Sequence, residues 1–253
     1  MDATEIQRLC ATHGAYSARL LHERSMLLDV EWGPFYSDCP VCTAERQARE
    51  AEETRCEAET KLRDAIVAAG IPRRFEQAQL SPDHTAHAIL RAFVADFAQH
   101  LQRGTGLVLI GPPGTGKTFA ACALLVDLVR HGRKCAYTTA EGMAREMRQT
   151  FGRSATTEAE LFARFSGIKL LVVDELGASN TAHTLTLLHE VVAARYERQL
   201  PSVFISNCSR PELEQYLGAR AADRIAETCR WVPMTGASRR RPALSTAANR
   251  GAA

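Results

Sequence analysis

The sequence lacks an excess of charge of either sign. Lysine and arginine number 31 against 29 aspartates and glutamates, a formal net charge of +2 over 253 residues. That argues against a protein that coats nucleic acid by bulk positive charge and confines any nucleic-acid contact to a local patch. A long apolar run is also missing at the amino terminus, where Asp2, Glu5, Arg8, Arg19 and Arg24 interrupt the pattern. Neither a secretory signal nor a membrane span is expected there, which points to the cytoplasm. No internal repeat is visible. Hydrophobic residues at 45% and charged residues at 24% supply a buried core and exclude wholesale disorder. The length suits one large domain, or one domain with a small attachment.

Cysteine, by contrast, is abundant at eight residues. In a reducing compartment cysteines serve as metal ligands, nucleophiles or core filler rather than as disulfides. Cys10-x2-His13 and Cys39-x2-Cys42 make two tight ligand pairs. Such pairs suit tetrahedral Zn2+, and a Cys3His set leaves no open coordination position, so the expected site is structural. The other reading, reduced cysteines in a loop, leaves residues 1–42 without a source of stability, because they show no sustained helix or strand period. His22 is the substitute ligand should His13 point away. Cys122, Cys135, Cys208 and Cys229 fall in apolar patterns as core filler, and Cys56 falls on an exposed helix.

From residue 43 to about 69 the composition shifts to Ala, Glu, Arg and Lys, with Glu45/Arg49, Glu57/Lys61 and Glu59/Arg63 at helical spacing. This predicts a solvated connecting helix, ended by Gly70 and Pro72. Ser81-Pro82-Asp83 starts an amphipathic helix carrying Ile89, Leu90, Phe93, Val94, Phe97 and Leu101. Apolar runs at 107–110, 134–138, 169–173 and 202–206 then alternate with helical patterns at 118–131, 139–151, 183–199 and 211–217. That alternation predicts an α/β fold with a parallel sheet between helices. The expected organisation is a zinc module over 1–42, a connecting helix over 43–69, a nucleotide-binding domain over 70–235 and a basic, poorly ordered tail over 236–253.

Gly111-Pro112-Pro113-Gly114-Thr115-Gly116-Lys117-Thr118 matches a phosphate-binding loop at every required position, with a strand before it and a helix after it. Glycines let backbone N–H groups turn around phosphate oxygens at a helix N-terminus. Lys117 would reach the β- and γ-phosphates of ATP, and Thr118 would place its hydroxyl on Mg2+. The buried run Leu170 to Val173 ends in Asp174 and Glu175, where Asp174 would hold the metal and Glu175 would polarise the attacking water. Asn207 closes the run 203–206, either to orient that water or to initiate a turn. Arg220 and Arg224, four apart, share a helix face. They form either a solvated face or an arginine finger reaching a neighbouring subunit's ATP.

Together these motifs resemble the AAA+ ATPases of the DnaC/IstB group, and more closely the DnaC and DnaI type of replicative helicase loader. The resemblance covers about residues 70 to 241 and rests on Gly70-Ile71-Pro72, the phosphate loop, Asp174-Glu175-Leu176-Gly177, Ser206-Asn207 and Leu217-Gly218-Ala219-Arg220 with Asp223-Arg224. It implies the Walker A role for Lys117 and Thr118, the Walker B role for Asp174 and Glu175, and sensor 1 for Asn207. It also implies a trans-acting arginine finger at Arg220 and a second family arginine at Arg224. Ser238-Arg239-Arg240 is similar to the family's Ser-Tyr-Arg ending, with Arg240 in the place of the γ-phosphate sensor. The implied partners are a hexameric DnaB-type helicase, single-stranded DNA and further copies of the chain in an ATP-dependent spiral or ring, with no membrane. Phe151 looks like the family's DNA-contacting phenylalanine, because an aromatic face stacks on any base, though it also suits a core position. Other DNA-contacting positions of the family fall near Ala182 and Thr184, where this chain departs from the pattern. The IstB alternative is a transposition helper that delivers DNA to a transposase. Those proteins generally begin with a helical domain instead of Cys/His pairs. A zinc-anchored adaptor using ATP only as an assembly switch is the non-enzymatic alternative, and Glu175 with Arg220 speaks against it.

Overall fold

The apolar runs of the chain become strands because both of their faces are covered. The computed structural model describes residues 5–22, 25–27, 30–32, 34–82, 85–150, 156–178 and 181–239. The chain divides into two units, Met1–Lys61 and Leu62–Ala253.

In the first unit β1 (Glu5–Cys10) and β2 (Gly14–His22) form an antiparallel hairpin. Short strands β3 (Ser25–Leu27) and β4 (Val30–Trp32) pair with each other, and β5 (Phe35–Tyr36) adds to β2. The sequence shows no sustained strand period here, and Leu9, Leu21 and Phe35 of these strands are exposed rather than buried in a core. Among the residues whose side chains are described, Ala18 and Cys39 are the only buried apolar ones of this unit. Helix α1 (Pro40–Ala68) opens on Pro40, which fits a first helical turn because that position makes no N–H bond within the helix. Cys42 therefore lies in the first turn of α1. Of the spaced pairs, Glu57 and Lys61 meet at 3.3 Å, whereas Glu45 turns to His13.

The second unit continues from the end of α1 with α2 (Thr85–Ala95) and α3 (Phe97–Arg103), two helices where the periodicity predicts one. Then follow β6 (Gly106–Ile110), α4 (Lys117–Arg130), β7 (Cys135–Thr139), α5 (Ala140–Gln149), α6 (Glu158–Gly167) and β8 (Leu170–Leu176). The chain continues with α7 (Ala182–Glu197), β9 (Ser202–Ser206), α8 (Arg210–Thr228) and β10 (Cys229–Pro233). The five strands are parallel in the order β10-β6-β9-β8-β7. Leu107, Leu109, Leu170, Val172, Val203 and Ile205 pack with α2 and α4 on one face. Val108, Leu171, Val173 and Phe204 pack with α5 to α8 on the other. Residues that alternate in sequence thus enter opposite cores, which is why the strands read as continuous apolar runs. The result is the expected α/β sandwich.

Helix α6 and strand β10 are additions to the sequence-based expectation. A reciprocal capping box between Thr157 and Glu160 starts α6. Strand β10 is an edge strand whose last residue, Pro233, is tolerated because no further strand needs its N–H. Between them the buried Arg195 on α7 fastens two loops. Its guanidinium donates to Phe165 O at 2.8 Å, Ile168 O at 2.9 Å, Pro201 O at 2.5 Å and Ser202 Oγ at 2.8 Å. Burial lowers its pKa to about 9, so it stays charged at neutral pH.

Strand β9 lies between β6 and β8. The loop after β6 and the ends of β9 and β8 are therefore neighbours along the carboxyl edge of the sheet, where open α/β sheets hold ligands.

Candidate functional site

The loop after β6 turns directly into α4, with Gly116 at φ 94° as the helix N-cap. Thr115 Oγ1 donates to Pro112 O at 3.0 Å and holds the turn closed. Lys117, 5% exposed, directs its ammonium to the carbonyls of Gly111 and Pro112 at 2.7 and 2.8 Å. Gly114 sits at φ +87°, and a Cβ there would collide with the Ser238 hydroxyl. Position 114 is closed to other residues by backbone strain and by that close approach together.

The next turn of α4 reaches β8. Thr118 Oγ1 donates to Asp174 Oδ2 at 2.7 Å, and the Tyr137 hydroxyl donates to the same oxygen at 2.9 Å. The other oxygen, Oδ1, accepts the Glu175 N–H at 2.7 Å. Burial pushes the Tyr137 hydroxyl far above the usual phenol range, so it remains a donor. Glu175 adopts φ 59°, and the β8–β9 register shifts between Val173 and Leu176. This bulge turns Glu175 out of the sheet, so its carboxylate is exposed beside the buried Asp174.

Lys117, Thr118, Asp174, Glu175 and Asn207 line one cavity of about 320 Å3, within the size range of small-molecule sites. Arg74, Phe75 and Arg239 line it as well. Phe75 meets Phe119 edge-on at 6.1 Å, giving the cavity an aromatic wall. Arg74, Phe75 and Phe119 were not singled out from sequence, and Arg239 stood in the Ser238-Arg239-Arg240 ending only as the neighbour of Arg240. Arg239 follows β10 and its N–H donates to Gly114 O at 2.9 Å. Its side chain passes within about 4 Å of where a Cβ on Gly116 would stand. The arginine described at the phosphate loop is thus Arg239, whereas Arg240, the residue matched to the family's ending, lies outside the described residues.

Arg220 and Arg224 do not line this cavity. Helix α8 breaks at Gly218, φ 71° and ψ 160°, and His189 Nε2 meets the carbonyl of Leu217 at 2.7 Å just before the break. Arg220 is exposed beyond it, and Arg224 lies 5.6 Å over the Tyr196 ring. Both border a separate depression with Leu217 and His189. Phe151 lies outside the described residues. Thr184 is buried and donates to Glu141 at 3.0 Å, so its hydroxyl is engaged within the fold.

In the first unit, the Cys10, His13, Cys39 and Cys42 ligand atoms lie within 4.8 Å of one another. His13 Nδ1 stands 3.8 Å from Cys10 Sγ, 3.8 Å from Cys39 Sγ and 3.3 Å from Cys42 Sγ, and Cys10 and Cys42 are 3.5 Å apart. Metal–sulfur bonds of about 2.3 Å and metal–nitrogen bonds of about 2.0 Å in a tetrahedron give edges of roughly 3.5–3.8 Å. The four donors therefore fit Zn2+. His13 faces the cluster, and its Nε2 meets Glu45 Oε1 at 3.3 Å, the outer partner that fixes a ligating imidazole. Backbone N–H groups of Thr12 and His13 lower the Cys10 thiol to about 6, whereas the neighbouring Cys10 and burial raise Cys42 to about 11, so the charge of this pair sits on Cys10. Cys122, Cys135 and Cys229 are buried, Cys208 is half-buried and Cys56 is exposed. Elemental analysis of the purified chain is expected to give about one zinc per chain, as a closed four-ligand site requires. Protein purified without metal would contradict it.

The sequence profile described as IstB-like ATP binding protein matches residues 51–247. The replicative helicase loader DnaC of Escherichia coli K12 is 28% identical over 136 residues, covering 53% of this chain and 54% of DnaC. The chain spans about half the length of the DnaC relatives it matches. A putative insertion sequence ATP-binding protein of Sinorhizobium fredii is 31% identical over 101 residues, covering 39% of this chain and 33% of that protein. Among solved structures, the crystal structure of the DnaC helicase loader superposes with a TM-score of 0.57 at 20% identity, covering 65% of this chain and 100% of that one. The family profile spans most of the chain, including every residue of the phosphate-loop cavity: the protein belongs to the IstB-like ATP binding protein family.

Proposed function

We propose that this protein is an ATPase that loads a hexameric, DnaB-type replicative helicase onto single-stranded DNA. The observation that carries this reading is the assembled cavity, in which Lys117, Thr118, Asp174, Glu175 and Asn207 converge in a chain homologous to helicase loaders. Its phosphate loop would cradle the nucleotide through Gly111, Pro112, Pro113, Gly114, Thr115 and Gly116, with Lys117 and Arg239 on the phosphates. Thr118 and Asp174 would hold Mg2+, which neutralises charge developing on the phosphates. Glu175 accepts a proton from the attacking water, oriented by Asn207. That water's oxygen bonds the γ-phosphorus as the bond to the β–γ bridging oxygen breaks, releasing ADP and phosphate.

Arg220, exposed and outside the chain's own cavity, serves the cavity of a neighbouring copy, with Arg224 beside it on the same surface. Hydrolysis then depends on assembly and is slow in the isolated chain. Residues 1–42, organised by zinc, form the helicase-docking module, 43–69 the connecting helix, 70–235 the ATPase and 236–253 a basic tail. Phe151 stacks on single-stranded DNA. Among the described residues, no helix is long and apolar enough to cross a membrane.

A second reading, delivery of DNA to a transposase, is favoured by the family's description and by the Sinorhizobium fredii relative. The two readings differ in the partner. Capture on the immobilised full chain with ATP is expected to retain a DnaB-type hexameric helicase and no transposase. Retention of a transposase alone would replace the loader reading with the second.

A further inference from the structure

Among the described residues β7 is an edge strand, with β8 on one side of its backbone and no strand on the other. The chain entering the nucleotide-binding core lies along that edge. The Tyr137 N–H donates to Ala69 O at 2.7 Å. Gly70, next in sequence, has φ +73°, and a Cβ there would stand 2.7 Å from the Tyr137 carbonyl oxygen. Any side chain at position 70 would push directly on the backbone of Tyr137.

On its other side Tyr137 reaches the metal carboxylate. Its hydroxyl and the Thr118 hydroxyl share Asp174 Oδ2, while Oδ1 is held by the Glu175 N–H. Two of these donors belong to the phosphate-loop helix and to Asp174's own strand. The third comes from Tyr137, whose backbone also holds the chain entry at Ala69. With Thr118 turned toward a metal, Tyr137 is the side-chain donor left on Oδ2, and together with the Glu175 N–H on Oδ1 it keeps the plane of the carboxylate fixed. Outer partners of this kind alter metal affinity by about 10- to 100-fold when removed.

We propose that Tyr137 is a positioning residue for the Mg2+–nucleotide complex, and that through it the backbone at Ala69–Gly70 sets how tightly that complex is held. The inference rests on the reading of the cavity as an ATP site and adds a control point outside the cavity's lining. Tyr137 does not line the cavity itself, so its effect is confined to the metal-dependent part of binding.

The test titrates Mg2+ against a fluorescent ATP analogue bound to the full chain, with a parallel measurement in EDTA. Tyr137→Phe keeps the ring and removes the hydroxyl. It should raise the half-saturating Mg2+ concentration about tenfold and leave metal-free nucleotide binding unchanged. Gly70→Asn tolerates a left-handed backbone but brings a Cβ against Tyr137. It should shift the Mg2+ dependence in the same direction, and the double variant should match Tyr137→Phe alone. A wild-type Mg2+ curve for Tyr137→Phe overturns the positioning role. Full additivity of the two substitutions, with thermal unfolding showing both folded, overturns the link through Gly70. Should Gly70→Asn fail to fold, Gly70→Ser repeats the additivity test with a smaller side chain. Absence of nucleotide binding by the unmodified chain would instead fail the ATP reading itself.

Discussion

Arg220→Ala is expected to bind ATP as tightly as the unmodified chain and to hydrolyse it about 10³-fold more slowly, the scale of an arginine finger. The geometry makes the two effects separable. Arg220 lies past the Gly218 break in α8 and does not line the cavity of its own chain. Its loss leaves the phosphate loop untouched, so affinity is kept. Glu175→Gln is also expected to bind without turnover, for a different reason: the amide cannot take the proton of the attacking water. Mixing the two variants pairs an intact Arg220 with an intact Glu175 at some interfaces. Phosphate release from the mixture should therefore exceed that of either variant alone. A mixture no faster than its components would place the whole catalytic site within one chain.

Lys117→Ala is expected to lose ATP binding by about 10²-fold or more, with hydrolysis at background. Lys117 is 5% exposed and its ammonium is pinned by two carbonyls of its own loop, so it stays at the loop where phosphate oxygens would lie. Charge-assisted hydrogen bonds of this kind are worth about 1.5–3 kcal/mol each, and Lys117 would make more than one. Isothermal titration with ATP and Mg2+ checks the prediction. Normal affinity in Lys117→Ala would contradict the assignment of the phosphate loop.

The convergence of the phosphate-loop cavity's residues was legible in the sequence where residue type and strand pattern coincide. Lys117, Thr118, Asp174, Glu175 and Asn207 all stand at strand ends or at the helix start, and parallel pairing brings those ends to one edge. Arg74, Phe75 and Tyr137 were not legible, because they reach the site across the fold from segments with no motif of their own, and the Ser238-Arg239-Arg240 ending pointed to Arg240 rather than to Arg239. Tyr137 reads as an ordinary strand residue, and only the parallel register of β7 with β8, which pairs it with Val172 two residues before Asp174, brings its hydroxyl to that carboxylate. Arg239 is placed by a backbone bond to Gly114 that no spacing announces. Helix α6 did leave a signal, the Thr157-x-x-Glu160 capping box, ahead of a short pattern. Strand β10 was obscured by Arg230 and by Pro233, both compatible with an edge. The hairpin of β1 and β2 had the weakest signal, since its strands show no sustained apolar alternation.

The most direct measurement mixes the full chain, ATP, a DnaB-type helicase hexamer and a covalently closed circle of single-stranded DNA, then isolates the circles. A closed ring cannot thread onto a closed circle without being opened, so helicase on the DNA reports loading itself. Helicase is expected on the circles only with this protein and ATP present, and the Lys117→Ala chain should fail to put it there. Circles free of helicase under the complete conditions, with the protein binding ATP normally, would contradict the loader account.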